Sequence, residues 1–137
     1  MNTVGRLFIR AHTKLLRMTN GQRFNMGGNV LILNTVGAKS GKPRANPLMY
    51  LPLARGRYAV FASAAGAESS PGWYHNVVAQ PEVEVEIDGH RMPMRARVAA
   101  EPERSELYGK VEQREPRFAQ YKTKTTRSIP VVVLEPR

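Results

Sequence analysis

Cysteine is absent from the 137-residue chain. Disulfides, thiolate metal sites and cysteine nucleophiles are thereby excluded, and a reducing cytoplasm is a permitted setting. Histidine is scarce: His12, His75 and His90 stand isolated, with no carboxylate cluster to join them, so no metal is expected. No apolar run approaches the ~20 residues that a helix needs to cross a bilayer. No apolar core with a small-residue cleavage site opens the chain as a signal peptide would. The expected location is therefore the cytoplasm. Acidic residues are also few, 11 against 21 Lys and Arg, for a net charge of +10. Glu82, Glu84, Glu86 and Asp88 crowd together, but a hairpin accounts for them, so paired catalytic carboxylates are missing. Nothing resembles a nucleophile elbow.

The positive excess points either to an anionic partner, which would be nucleic acid, an anionic membrane surface or a polyanionic small molecule, or to a soluble basic protein with no charged partner. With 42% hydrophobic residues the chain is long enough for one domain with one core. The richest stretch is Asn34-Thr-Val-Gly-Ala-Lys-Ser-Gly-Lys-Pro-Arg44. An apolar run, Val30 to Leu33, leads into it, and a second begins at Pro47. Two glycines let the backbone turn and expose N–H groups, while Lys39, Lys42 and Arg44 supply charge and Ser40 a hydroxyl. The combination suits a phosphate or another anion. A Walker loop is excluded, because Gly37 and Gly41 are too close and Pro43 stands where a helix should begin. Any phosphate is held between two strands.

Residues 4–18 read as an amphipathic helix, with Val4, Leu7, Phe8, Ala11, Leu15 and Met18 at helical spacing and Arg6, Arg10, Lys14 and Arg17 opposite. Such a helix either packs on the domain with its basic side solvated or lies on the inner face of the cell membrane. It is expected to occupy residues 1–20, ahead of the main domain over 21–137. Strands are expected over 30–35, 45–53, 57–63 and 129–134, helices over 73–79 and 102–115, and a short helix or ordered loop over 118–125. In the central hairpin Val83, Val85 and Ile87 alternate with acids, Asp88-Gly89 turns the chain, and Met92, Met94, Ala96 and Val98 alternate with Arg91, Arg95 and Arg97. Counting from the turn, Glu86 faces Arg91 and Glu82 faces Arg95, on an outer charged face. Short antiparallel strands on this plan suggest a closed or half-closed barrel, mainly β with some α.

Three further stretches allow two interpretations each. Phe61-Ala-Ser-Ala-Ala-Gly-Ala67 is either a tolerant loop or a place where a flat ligand approaches backbone. Pro71-Gly-Trp-Tyr-His-Asn76 is either a core plug around the lone tryptophan or the wall of a ring-binding pocket at a helix N-terminus. Tyr121-Lys-Thr-Lys-Thr-Thr-Arg127 is either a solvated segment or a lid.

These segments, in this order and over nearly the whole chain, resemble the deazaflavin-dependent nitroreductase and quinone reductase family of actinobacteria. The resemblance rests on Leu33 to Leu48, Ala62 to Ala67, Trp73-Tyr-His-Asn76 and Tyr121 to Pro130. It implies a split β-barrel related to the flavin-binding pyridoxamine-phosphate oxidases. It implies the coenzyme F-420, with its phosphate and polyglutamate tail, and hydride transfer to a quinone or similar acceptor. By the same resemblance, Ala38, Lys39, Ser40, Gly41 and Arg44 would hold the phosphate and neighbouring acids. Ala45, Asn46, Pro47, Leu48 and Met49 would run beneath the ring system. Phe61, Ala62, Ser63 and Ala64 would offer backbone to the ring edge, with Gly72, Trp73, Tyr74, His75 and Asn76 closing the other side. Phe118 would lie over the ring near the acceptor, and either Tyr121 or water would donate a hydrogen bond or proton. The nitroimidazole-reducing members set several tyrosines around the acceptor. Met49, Glu115 and Phe118 stand at those positions here, which favours quinones over bulky nitroimidazoles. A binding module without turnover is one alternative. A small-barrel nucleic-acid binder is another, but the expected cationic sheet face is matched by glutamates rather than interleaved with aromatics.

Overall fold

The computed structural model describes residues 29–137. The expected helix over residues 4–18 lies outside them. Six antiparallel strands close into a barrel in the order β1-β2-β3-β6-β5-β4. The strands are β1 (Asn29–Val36), β2 (Pro43–Leu53), β3 (Arg57–Phe61), β4 (Glu82–Ile87), β5 (His90–Val98) and β6 (Val131–Pro136). Three helices accompany them: α1 (Gly72–Ala79), α2 (Glu103–Arg114) and α3 (Arg117–Lys124).

Side-chain alternation sorts the apolar residues into two bodies. Leu31, Leu33, Val60, Val85, Met94, Val132 and Leu134 point into the barrel, where Trp73 and Val77 of α1 join them. Trp73, Asn76 and Val77 are the buried positions of α1, at the spacing of one helical face. Leu51, Ala59, Phe61, Val131 and Val133 point outward and are covered by Leu107, Tyr108 and Val111 of α2 and Phe118 of α3. β6 is therefore buried on both faces, which explains its uninterrupted Val-Val-Val-Leu run. β1 follows the same logic: Leu31, Ile32 and Leu33 are all buried.

The central hairpin forms as its turn dictates. Asp88 and Gly89 take φ of 50° and 81°, the left-handed pair that a two-residue turn needs. Glu86 then opposes Arg91 and Glu82 opposes Arg95, as expected. The charged face differs in detail. Arg91 pairs diagonally with Glu84 at 2.7 Å, and Glu86 is buried rather than solvated. Barrel closure causes this, because β1 runs antiparallel to β4 and Asn34 donates from Nδ2 to Glu86 Oε2 at 3.0 Å.

The outer helices are pinned by polar contacts. Arg97 of β5 reaches both Glu103 of α2 and Glu135 of β6, at 2.6 and 3.0 Å. The Tyr108 hydroxyl donates to the Phe118 carbonyl at 2.7 Å, fixing the start of α3. Burial pushes the Tyr108 phenol up to about 12, so it remains a donor. Phe118 sits edge-on to Phe61, Tyr108 and Tyr121.

Candidate functional site

The loop between β1 and β2 is closed by Gly37 N–H donating to Lys42 O at 2.7 Å and Gly41 N–H donating to Gly37 O at 2.9 Å. Gly41 adopts φ +69°. A Cβ at Gly37 would lie 2.5 Å from Ser40 Oγ and 3.3 Å from Lys42 O, so the Ser40 hydroxyl would have to turn aside to admit it. Lys42 N–H donates to Ser40 Oγ. Ala38 N–H donates to Asn76 Oδ1 at 2.9 Å, while Asn76 Nδ2 donates to the buried Thr35 hydroxyl at 3.0 Å. The loop thus uses most of its own N–H groups to hold shape. Its backbone contributes less to an anion than the sequence suggests. Its side chains contribute more: Lys39, Ser40 and Arg44 are exposed. Arg44 touches only Pro43 O and Ser40 Oγ, and neither cation has a carboxylate partner among the described residues.

Asn76 joins this loop to α1, and a cavity of about 440 Å³ opens between them. Ala38, Lys39, Ser40, Arg44, Asn46, Gly72, Trp73, His75 and Asn76, all expected from sequence, line it together with Gly37 and Pro71. Among the described residues no acid lines it. Exposed cations without a carboxylate partner among the described residues, beside the opening turn of α1, give it the chemistry that suits an anion. Trp73 is buried in the core and also lines this cavity. Tyr74 turns toward the barrel interior and meets His75 edge-on at 5.6 Å. Gly41, Ala45, Pro47, Leu48 and Met49 are not among the lining residues.

β2 connects this cavity to a second region. Leu48 and Tyr50 pack toward the barrel interior, and Met49 and Leu51 toward the outer cluster. Alternation therefore places Ala45 and Pro47 on the outer face with Met49. From Ala45 to Met49 the strand covers about 13 Å of extended backbone. At its far end Met49, Phe118 and Tyr121 share the outer apolar cluster. The Tyr121 hydroxyl has no hydrogen-bond partner among the described residues. A small cavity of about 170 Å³ is bordered there by Met49 and Glu115. Arg117, which the sequence did not single out, places Nη2 3.6 Å from Met49 Sδ and Nε 3.6 Å from Glu115.

The small-residue loop behaves differently from the expectation of open backbone. Phe61 turns its ring into the outer aromatic cluster and Ala62 is fully buried. Arg127 Nη2 donates to the carbonyls of Ala62 and Ser63, both at 2.9 Å, and Nε to Ala67 O at 2.8 Å. Those carbonyls are engaged. Ser63 is right-handed helical, while Ala64 and Ala65 lie at φ 47° and 55°. Consecutive right- and left-handed residues turn their N–H groups toward one side, a concavity for an anion or a carbonyl oxygen. The N–H groups of Ser63, Ala64 and Ala65 have no partner among the described residues. The close neighbour of this loop is α3 itself: a Cβ on Gly66 would lie 2.9 Å from Lys124 Cβ and 3.0 Å from Tyr121 O. Residues 121–127 thus clamp the loop.

Among the described residues no group of three or more His, Asp or Glu is placed to hold a metal, and no helix is long and apolar enough to cross a membrane.

Comparison with known proteins fits this arrangement. A family model described as F420H(2)-dependent quinone reductase matches residues 7–136. An F420H(2)-dependent quinone reductase of Mycobacterium tuberculosis is 37% identical over 142 residues, covering 98% of this chain and 93% of the relative. A solved F420-H2 dependent reductase superposes with a TM-score of 0.71 at 39% identity, covering 78% of this chain and 94% of the other. An FMN-binding, pyridoxamine 5'-phosphate oxidase-related protein from Nostoc punctiforme shares the fold at 12% identity, with a TM-score of 0.59 over 91% of this chain and 79% of its own. Barrel, cationic loop and whole-chain match agree: the chain belongs to the F420H(2)-dependent quinone reductase family.

Proposed function

We propose that this protein uses F-420 to reduce a quinone, with the phosphate and acidic tail at Lys39, Ser40 and Arg44 and the acceptor near Met49, Phe118 and Tyr121. One observation carries the assignment: among the described residues, two cations with no carboxylate partner share a cavity that no acid lines. An acidic coenzyme neutralises them. The outer face of β2, with Ala45 and Pro47, gives a flat ring system a floor between the two regions. The unpartnered N–H groups of Ser63, Ala64 and Ala65 suit a ring-edge carbonyl.

When bound, the reduced deazaflavin supplies a hydride. The chain supplies position, which alone is worth several orders of magnitude in rate when reacting atoms are held in contact. Met49 and Phe118 keep the acceptor in an apolar setting. Reduction places negative charge on the acceptor oxygen, and the Tyr121 hydroxyl is the donor available to meet it. No tyrosine stands at positions 49, 115 or 118, which favours small quinones over bicyclic nitroimidazoles.

Titration of the purified protein with F-420, FMN and FAD tests the assignment. F-420 should bind more tightly than FMN because its tail adds charges for the loop, and equal or tighter FMN binding would overturn it. Adding menadione to protein loaded with reduced F-420 then separates an enzyme from a carrier. Rapid reoxidation marks turnover, and a stable reduced complex would make the protein a binding module. Contact of residues 4–18 with anionic membrane is a further part of the proposal, resting on their basic and apolar stripes. Equal sedimentation with anionic vesicles of the intact protein and a form lacking residues 1–18 would defeat it.

A further inference from the structure

We infer that Arg127 is a positioning residue for the coenzyme ring, locking the 62–67 loop in the one conformation that presents its N–H groups. The inference rests on the F-420 assignment above and adds to it a residue outside every cavity wall described. Its basis is the density of contacts from a single guanidinium. Nη2 donates to Ala62 O and Ser63 O, Nε to Ala67 O and Nη1 to Ser70 Oγ at 3.2 Å. These partners lie between 57 and 65 residues away in sequence. The planar fork of arginine satisfies several carbonyls at once, which a lysine ammonium on a flexible stem does not reproduce.

The loop needs such a restraint. Ala64 and Ala65 both hold positive φ, a conformation that costs an alanine free energy and persists only where surroundings impose it. Its conformation is braced from one side by Arg127 on the carbonyls and from another by α3 on Gly66. Carbonyls drawn toward Arg127 leave the Ser63, Ala64 and Ala65 N–H groups directed elsewhere. Arg127 has no carboxylate partner among the described residues, so its positive charge also favours electron density on any carbonyl seated against that loop. The C-terminal segment therefore sets the ring site without touching the phosphate site.

The test separates the two ends of the coenzyme. F-420 and the bare deazaflavin riboside, which lacks phosphate and tail, are titrated against wild type, Arg127→Met, Arg127→Ala, Arg127→Lys and Lys39→Ala. Arg127→Met should weaken both ligands by the same factor, about tenfold, and leave the salt dependence of F-420 binding unchanged. Arg127→Lys should fall between Arg127→Met and wild type. Lys39→Ala should weaken F-420 alone and flatten its salt dependence. Free guanidinium at tens of millimolar should recover part of the affinity of Arg127→Ala, whose short side chain leaves room for the ion, a response that general loss of packing would not give. Thermal melts of each variant establish that the folded protein is being titrated, and if Arg127→Met does not fold, Arg127→Lys carries the comparison. Wild-type affinity of Arg127→Met or Arg127→Lys for the riboside, or a loss confined to F-420, would overturn the inference. Failure of the wild type to bind either ligand would instead overturn the F-420 assignment beneath it.

Discussion

Asn76 is where the cationic loop is joined to α1, and its replacement separates shape from charge. Its side chain is buried, accepts from Ala38 N–H at 2.9 Å and donates to the Thr35 hydroxyl at 3.0 Å. Asn76→Ala removes both bonds and leaves space beside a buried hydroxyl. At about 1 kcal/mol for each bond, the loss is about 2 kcal/mol of folding stability. For a domain of this size that lowers Tm by about 4–8 °C. Asn76→Asp keeps an acceptor for Ala38, and the Thr35 hydroxyl can rotate to donate to it, so stability should fall less. The aspartate nevertheless places a negative charge in the wall of an anion cavity, so F-420 affinity should fall further than in Asn76→Ala. The two variants are thus expected to exchange rank between urea unfolding and F-420 titration. An Asn76→Ala protein within about 0.5 kcal/mol of wild type, the usual range of inert surface changes, would show that this bridge does not hold the loop. Unchanged affinity in Asn76→Asp would show that no anion sits there.

Lys39→Ala and Arg44→Ala should each weaken F-420 binding by about 1.5–3 kcal/mol, the range for hydrogen bonds to charged groups; unchanged affinity in both, at low and high salt, would reduce the loop to a turn. Tyr108→Phe should cost about 1 kcal/mol, because the Phe118 carbonyl loses its donor, and chemical denaturation measures it. The Tyr108 phenol is pushed up to about 12 by burial, so its contribution is complete below the unfolded value near 10 and is lost as pH rises toward 12. Wild type should therefore weaken across that window, and Tyr108→Phe should weaken less. Substitutions at Met49, Phe118 and Tyr121 should alter quinone turnover more than F-420 affinity, measured by steady-state kinetics beside titration; the reverse pattern would move the acceptor elsewhere.

Local signals in the sequence carried far. The turn at Asp88-Gly89 fixes the pairing of Glu86 with Arg91 because nothing distant competes within a two-residue hairpin. The cation-lined cavity was legible because its two walls, residues 37–46 and 71–76, each carry their chemistry within a few positions. What escaped was long-range. Alternation assigns Glu86 to solvent, and only barrel closure brings Asn34 beside it. The small residues at 62–67 look like room for a ligand, but part of that room is taken by α3 and by the guanidinium of Arg127. Arg117 carried no pattern at all. Its proximity to Met49, 68 residues earlier, follows from helix packing alone.

The ring of strands also has a bearing on how the chain reaches its native state. Ala59 waits for Val133, more than 70 residues later, and Ala96 waits for Leu134. Until β6 enters, β3 and β5 are the open margins of a five-stranded sheet, each with unpaired backbone groups able to recruit another chain. Closure by so distant a segment is slow by the standards of small proteins, since the loop must form before its contacts stabilise it. The Val-Val-Val-Leu insertion thus acts as a keystone. Substitutions in it should be felt first as aggregation during expression, before they are felt as lost activity in whatever folds.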